Sequence, residues 1–119
     1  MRVGGNELLV LTTVGARSGR PRHVPLGRFK DTEGRVVVVG AGGGAVQHPA
    51  WCANLEACPG NVVAQLPGWR GRVVPELLEG SERAAAWAQI VAAAPMYAAL
   101  QSKTDRELPV IVLHRAEPA

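Results

Sequence analysis

A chain of 119 residues, 47% of them hydrophobic and carrying a net charge of +3, has the length of one domain and enough apolar material for a core. That balance excludes a disordered chain, and two cysteines, Cys52 and Cys58, exclude a disulfide-stapled scaffold. No apolar run approaches the ~20 residues of a membrane helix, and the opening Met1-Arg2-Val3-Gly4-Gly5-Asn6 lacks the apolar stretch of a signal peptide, so a soluble cytoplasmic protein is expected, with peripheral membrane contact and oligomeric state left open.

Residues 7–13, ELLVLTT, have the Leu, Val and Thr content of a strand. GARSGRPR (15–22) is a loop closed by a proline. Between Glu7 and Asp31 there is no acid, but there are five bases: Arg17, Arg20, Arg22, Arg28 and Lys30. Such a loop is a candidate anion site, the plain alternative being a solvated basic loop. Residues 23–30 form a second strand, in which Pro25 marks an edge or a bulge. DTEG (31–34) is a hairpin turn, and Val36 to Val39 is a buried strand.

The glycine-rich GAGGGA (40–45) leads into HPAWCANLEACPG, where Pro49 suits the first turn of a helix and Pro59-Gly60 stops it. Trp51 and Leu55 then share one helix face. Strands follow near 61–66 and 70–78. Gly80-Ser81 begins a helix with Ser81 as cap, Glu82 at its positive end, and Trp87, Ile90, Val91 and Ala94 at helical spacing. Pro95 ends it, a shorter helix covers 96–103, and Pro109 to Leu113 is a last strand. The order β-β-β-α-β-β-α-α-β lacks the alternation of a doubly wound sheet. It predicts a single α+β domain over 1–119, mostly antiparallel strands curling into a barrel with helices outside.

Three other chemistries fit poorly. VVVVGAGGGA (36–45) satisfies a dinucleotide fingerprint, but His48-Pro49 interrupts the helix it needs, and Asn61 to Gln65 offers no acid for a ribose. One Phe and one Tyr are too few for a base-stacking surface, so no nucleic-acid partner is expected. Cys52 and Cys58 lie six apart and turn to different faces of a helix, so with His23, His48 and His114 they are read as ordinary side chains and no metal is expected.

Four stretches carry a family likeness: LTTVGARSGRPR (11–22) with VPL (24–26), the glycine segment running into HPAWCANLEACP (48–59), SERAAAWAQIVAAAP (81–95) and YAALQSKTDRELPVIVL (97–113). In order and spacing they resemble the deazaflavin-dependent nitroreductase family, whose members bind coenzyme F420 on a split β-barrel. The resemblance implies an enzyme passing hydride from reduced F420 to a small activated acceptor (an enone, a quinone or a nitroaromatic). The alternative it leaves is a protein that binds the deazaflavin without turnover.

By the same resemblance, Arg17, Ser18, Gly19, Arg20, Arg22 and Pro25 belong beside the anionic part of the coenzyme. Gly15, Ser18 and Gly19 free the backbone to curl into a nest of N–H donors, and the guanidinium groups can grip phosphate or carboxylate in pairs of hydrogen bonds. Ala41, Gly42, Gly43 and Gly44, with His48, Pro49 and Trp51 of HPAW, belong near ring and phosphate. Trp51 also suits a core position pinning its helix, and Asn54, in the family's WxxNL pattern, is placed with the coenzyme-binding residues, a structural role being the other reading.

In the relatives, aromatic residues recur at every third position of one helical segment and line the substrate pocket; here those places hold Ala94, Tyr97 and Leu100. Tyr97, the sole tyrosine, is the candidate catalytic group, orienting the acceptor's oxygen or donating a proton, against the alternative of a core tyrosine. Several positions depart from the family. Ala41-Gly42 replaces a frequent Ser-Asn pair, Cys52 replaces a larger polar aromatic, and the first strand is expected without the leading helix that covers the pocket in the relatives. A more open and more apolar pocket is expected.

Overall fold

The computed structural model describes residues 2–3, 6–15, 18–31, 33–40 and 50–116. Its strands are β1 (Arg2–Val3), β2 (Asn6–Val14), β3 (Pro21–Gly27), β4 (Phe29–Lys30), β5 (Val36–Val39), β6 (Val63–Leu66), β7 (Trp69–Leu77) and β8 (Val110–Arg115). The helices are α1 (Ala50–Ala57), α2 (Gly80–Ala93) and α3 (Met96–Ser102), with a 3-10 turn at Pro59–Asn61. Every strand pairing is antiparallel, in the order β1-β2-β6-β7-β8-β5-β4, with β3 joined to β2. This is the α+β class with antiparallel strands that the element order predicts, in the split β-barrel form that the family resemblance implies, and it rules out the dinucleotide reading of the glycine run. Among the described residues, no helix is long and apolar enough to cross a membrane.

The unbroken valines of β5 are explained by helices on both of its faces. Successive strand side chains point to opposite sides. Val37, Val39, Val110 and Val112 pack with Ala86, Ile90, Ala94 and Tyr97 of the α2–α3 segment. Val38, Ile111 and Leu113 pack with Trp51, Cys52 and Leu55 of α1. Two apolar cores therefore lie back to back across the β5–β8 ladder.

The stretch expected as one strand over 23–30 is two. β3 stays on β2, while β4 crosses to β5, pairing Phe29 with Val37. Arg28 makes the corner: its N–H donates to the Glu7 carbonyl at 2.9 Å, its Nε to the Leu8 carbonyl at 3.1 Å, and its guanidinium meets Glu7 Oε2 at 2.8 Å. Pro25 sits in β3, which pairs with β2 alone among the described residues, so its missing N–H costs no ladder bond on the free side. A second difference concerns α2. The helix begins at Gly80 with Glu79 at the cap position and no side-chain cap bond, so Ser81 lies inside it rather than before it.

The turn after β4 is built on Asp31. Its Oδ1 accepts the N–H groups of Glu33 and Arg35, both at 2.9 Å, and its Oδ2 accepts Arg35 Nε at 2.6 Å. Burial alone would raise the carboxyl's pKa, but these hydrogen bonds and the Arg35 charge together hold it below its ordinary value.

Candidate functional site

The basic turn joins β2 to β3 beyond the Val14–Pro21 pair. Inside it the Gly15 N–H donates to the Arg20 carbonyl at 2.8 Å, the Gly19 N–H to the Gly15 carbonyl at 2.9 Å, and the Arg20 N–H to Ser18 Oγ at 3.2 Å. Gly19 takes a φ of +69°, which lets the chain close so tightly. These three donors are bonded within the turn. The turn also offers charge. Arg20 and Arg22 are exposed, and among the described residues neither forms an ion pair. A Cβ on Gly15 would stand 2.5 Å from Ser18 Oγ and 3.8 Å from Arg22 Nε, so glycine is what lets the serine hydroxyl fold in over the turn. Exposed, unneutralised guanidinium groups fit a coenzyme with an anionic tail. Arg17 lies outside the described residues.

The turn is tied to α1. Arg22 stands opposite Thr13 in the ladder, and Asn54 Nδ2 donates to Thr13 Oγ1 at 3.2 Å with both residues buried. Trp51 is buried among Leu9, Leu11 and Leu55, the pinning role read from its spacing. Ala41, Gly42, Gly43, Gly44, His48 and Pro49 lie outside the described residues. Gly40, just before them, is anchored twice: its N–H donates to the Pro109 carbonyl at 2.9 Å, and its carbonyl accepts Arg106 Nη1 at 3.0 Å. Sequence reasoning assigned Arg106 no role. The contact spans 66 positions, and no local pattern announces it.

Tyr97 lies at the start of α3, 8% exposed, in the core that also holds Ala94 and, at its margin, Leu100. Its ring meets Phe29 edge to face, 5.4 Å between centroids at 87°. Its hydroxyl lies against Gly27, the last residue of β3. Burial raises the phenol above its ordinary pKa, so it is protonated at neutral pH. Arg22 and Gly27 thus stand five positions apart on one edge strand, about 17 Å at the usual rise. Pro25 sits between them.

A separate cavity of about 470 Å³ opens between α1 and the β7–α2 junction, with Cys52, Leu55, Leu77 and Ile111 on its apolar side and Arg83 with Glu107 at its polar end. None of the residues assigned to coenzyme or acceptor lines it. The Arg83 guanidinium is engaged by the Leu108 carbonyl at 2.8 Å and by Glu107 at 3.3 Å.

Similarity to known proteins gives the family. A family model described as F420H(2)-dependent quinone reductase matches residues 1–115. An F420H(2)-dependent quinone reductase of Mycobacterium tuberculosis is 33% identical over 115 residues, covering 94% of this chain and 76% of that protein. A solved F420-H2 dependent reductase (FDR-A) is 36% identical with a TM-score of 0.79, covering 96% of this chain and 99% of that one. A domain-swapped dimer of equal identity and TM-score covers 96% of this chain and 84% of its own.

Proposed function

Because the chain belongs to the F420H(2)-dependent quinone reductase family, enzymes whose cofactor is coenzyme F420, we propose that it reduces a small activated acceptor: a quinone, an enone or a nitroaromatic. The observation that carries this reading is the course of β3. It begins at cations with no carboxylate partner among the described residues and ends against a buried, protonated phenol.

When bound, reduced F420 supplies the hydride, so the protein's share is binding, orientation and a proton. Arg20 and Arg22, with Arg17, Ser18 and Gly19, hold the anionic portion, and the segment 41–44 with His48 and Pro49 completes the seat. Tyr97 donates from its hydroxyl to the acceptor's oxygen as negative charge develops there. The apolar packing of Phe29, Val37 and Leu108 around the phenol keeps water from that hydrogen bond. Hydride at carbon and proton at oxygen together give the reduced, neutral product.

Single-turnover oxidation of reduced F420 by quinones, enones and nitroaromatics tests the acceptor class. The protein should accelerate at least one class far above the free reaction. No acceleration with any of them would contradict the proposal.

A further inference from the structure

We propose that Gly27 is a positioning residue for Tyr97, an inference that rests on the role given to the phenol above. Gly27 ends β3 opposite Leu8, and its backbone has no need of glycine, since its φ is not positive. Glycine within a strand weakens it and commonly marks a close approach by another group. Here that group is the phenol. A Cβ at position 27 would stand 3.2 Å from the Tyr97 hydroxyl oxygen, against 3.7 and 3.8 Å from carbons of the Phe29 ring. The ring distances are ordinary contacts and the oxygen distance is not, so the crowding falls on the hydroxyl.

The phenol has few places to go. Its ring is packed edge to face on Phe29 within the α2–α3 core, where Leu108, Val110 and Val112 are fully buried. Adding one methyl at position 27 therefore moves the hydroxyl by a few tenths of an ångström rather than swinging the ring away. Side-chain size at position 27 sets how far the proton donor stands from β3, and so where an acceptor's oxygen must lie to receive it. A misplacement of ~1 Å can cost about a hundredfold in rate, so a shift of this size should cost roughly five- to tenfold.

The test is Gly27→Ala in the full chain, read three ways. Turnover with a quinone should fall roughly five- to tenfold, while F420 affinity stays within about twofold. The phenol's ionisation, followed by ultraviolet titration, should shift, and Tyr97 is the only tyrosine to report it. In a Tyr97→Phe background, Gly27→Ala should cost no further turnover, because the crowded oxygen is gone. An equal loss in both backgrounds, or an unmoved phenol titration, overturns the inference. If Tyr97→Phe itself leaves turnover intact, the catalytic reading of Tyr97 falls and the role of Gly27 in turnover falls with it, whereas the titration still reads the contact. Should Gly27→Ala fail to fold, the double variant with Tyr97→Phe should fold with a normal Tm; its failure as well would overturn the steric argument.

Discussion

Asn54 of α1 and Thr13 of β2 meet side chain to side chain in the interior, Nδ2 to Oγ1 at 3.2 Å. Because Thr13 pairs with Arg22 across the ladder, this one bond sets α1 at a fixed distance from the strand that feeds the basic turn. The helix that follows the glycine-rich segment and the loop that carries the cations are held by the same pair of buried polar groups.

Thr13→Val keeps the shape of the threonine and removes the acceptor, leaving the Asn54 amide buried without this partner. Denaturant unfolding should show a loss of about 1–3 kcal/mol. The double variant Thr13→Val/Asn54→Leu should cost less than the sum of its single variants, since both halves of the bond are then apolar. Strict additivity would mean the pair is not coupled.

Arg20→Glu and Arg22→Glu should each weaken F420 binding about 10- to 100-fold, the worth of a charge-assisted contact. Their Tm values should stay close to that of the parent, because both side chains are exposed and, among the described residues, neither forms an ion pair. Parent affinity should fall as salt rises, and the Glu variants should show a shallower dependence. Titration at two ionic strengths checks both statements.

Tyr97→Phe should lower kcat about 100-fold, at the lower end for a lost general acid, with coenzyme affinity little changed. The pH dependence follows from the direction of the shift. Burial raises the phenol's pKa above the ordinary 10.0, so the folded protein keeps this proton where the unfolded chain releases it. The stability tied to the proton is whole below that ordinary value and declines as pH rises through the folded one. Tyr97→Phe should therefore lessen the alkaline loss of stability measured by thermal unfolding.

Asp31→Ala removes the acceptor of three hydrogen bonds in the β4–β5 turn and should cost about 1–3 kcal/mol at neutral pH. The Asp31 carboxyl sits below its ordinary pKa, so its contribution is whole above the unfolded value and is lost as pH falls through the folded one. The gap in stability between parent and variant should narrow between neutrality and about pH 3. A constant gap would assign the effect to shape rather than charge.

Much of this architecture is legible from local pattern alone. The valine run of β5, the Trp51–Leu55 spacing of α1 and the Ile90–Ala94 spacing of α2 each name a buried face, and the structure buries them. The acid-free stretch between Glu7 and Asp31 likewise names the basic turn. What the pattern does not carry is long-range exchange of partners. Nothing around Arg28 announces that the strand leaves β2 for β5, because the Glu7 and Leu8 carbonyls that hold the corner are about 20 positions away. Gly27 reads as an ordinary strand residue until the Tyr97 hydroxyl is found against it. Ser81 has the composition of a cap, yet the helix begins at Gly80 with Glu79 at the cap position, two residues before it. The N–H groups of Gly15, Gly19 and Arg20 look available in sequence because only three dimensions show them bonded within the turn.

A crystal structure of the protein with F420 bound tests most directly the proposal that the coenzyme lies along β3. The anionic tail should lie within hydrogen-bond reach of Arg20 and Arg22, with the ring toward Gly27 and the Tyr97 hydroxyl. A coenzyme seated instead in the cavity between α1 and the β7–α2 junction, against Arg83 and Leu77, with both turn arginines facing solvent, would contradict it.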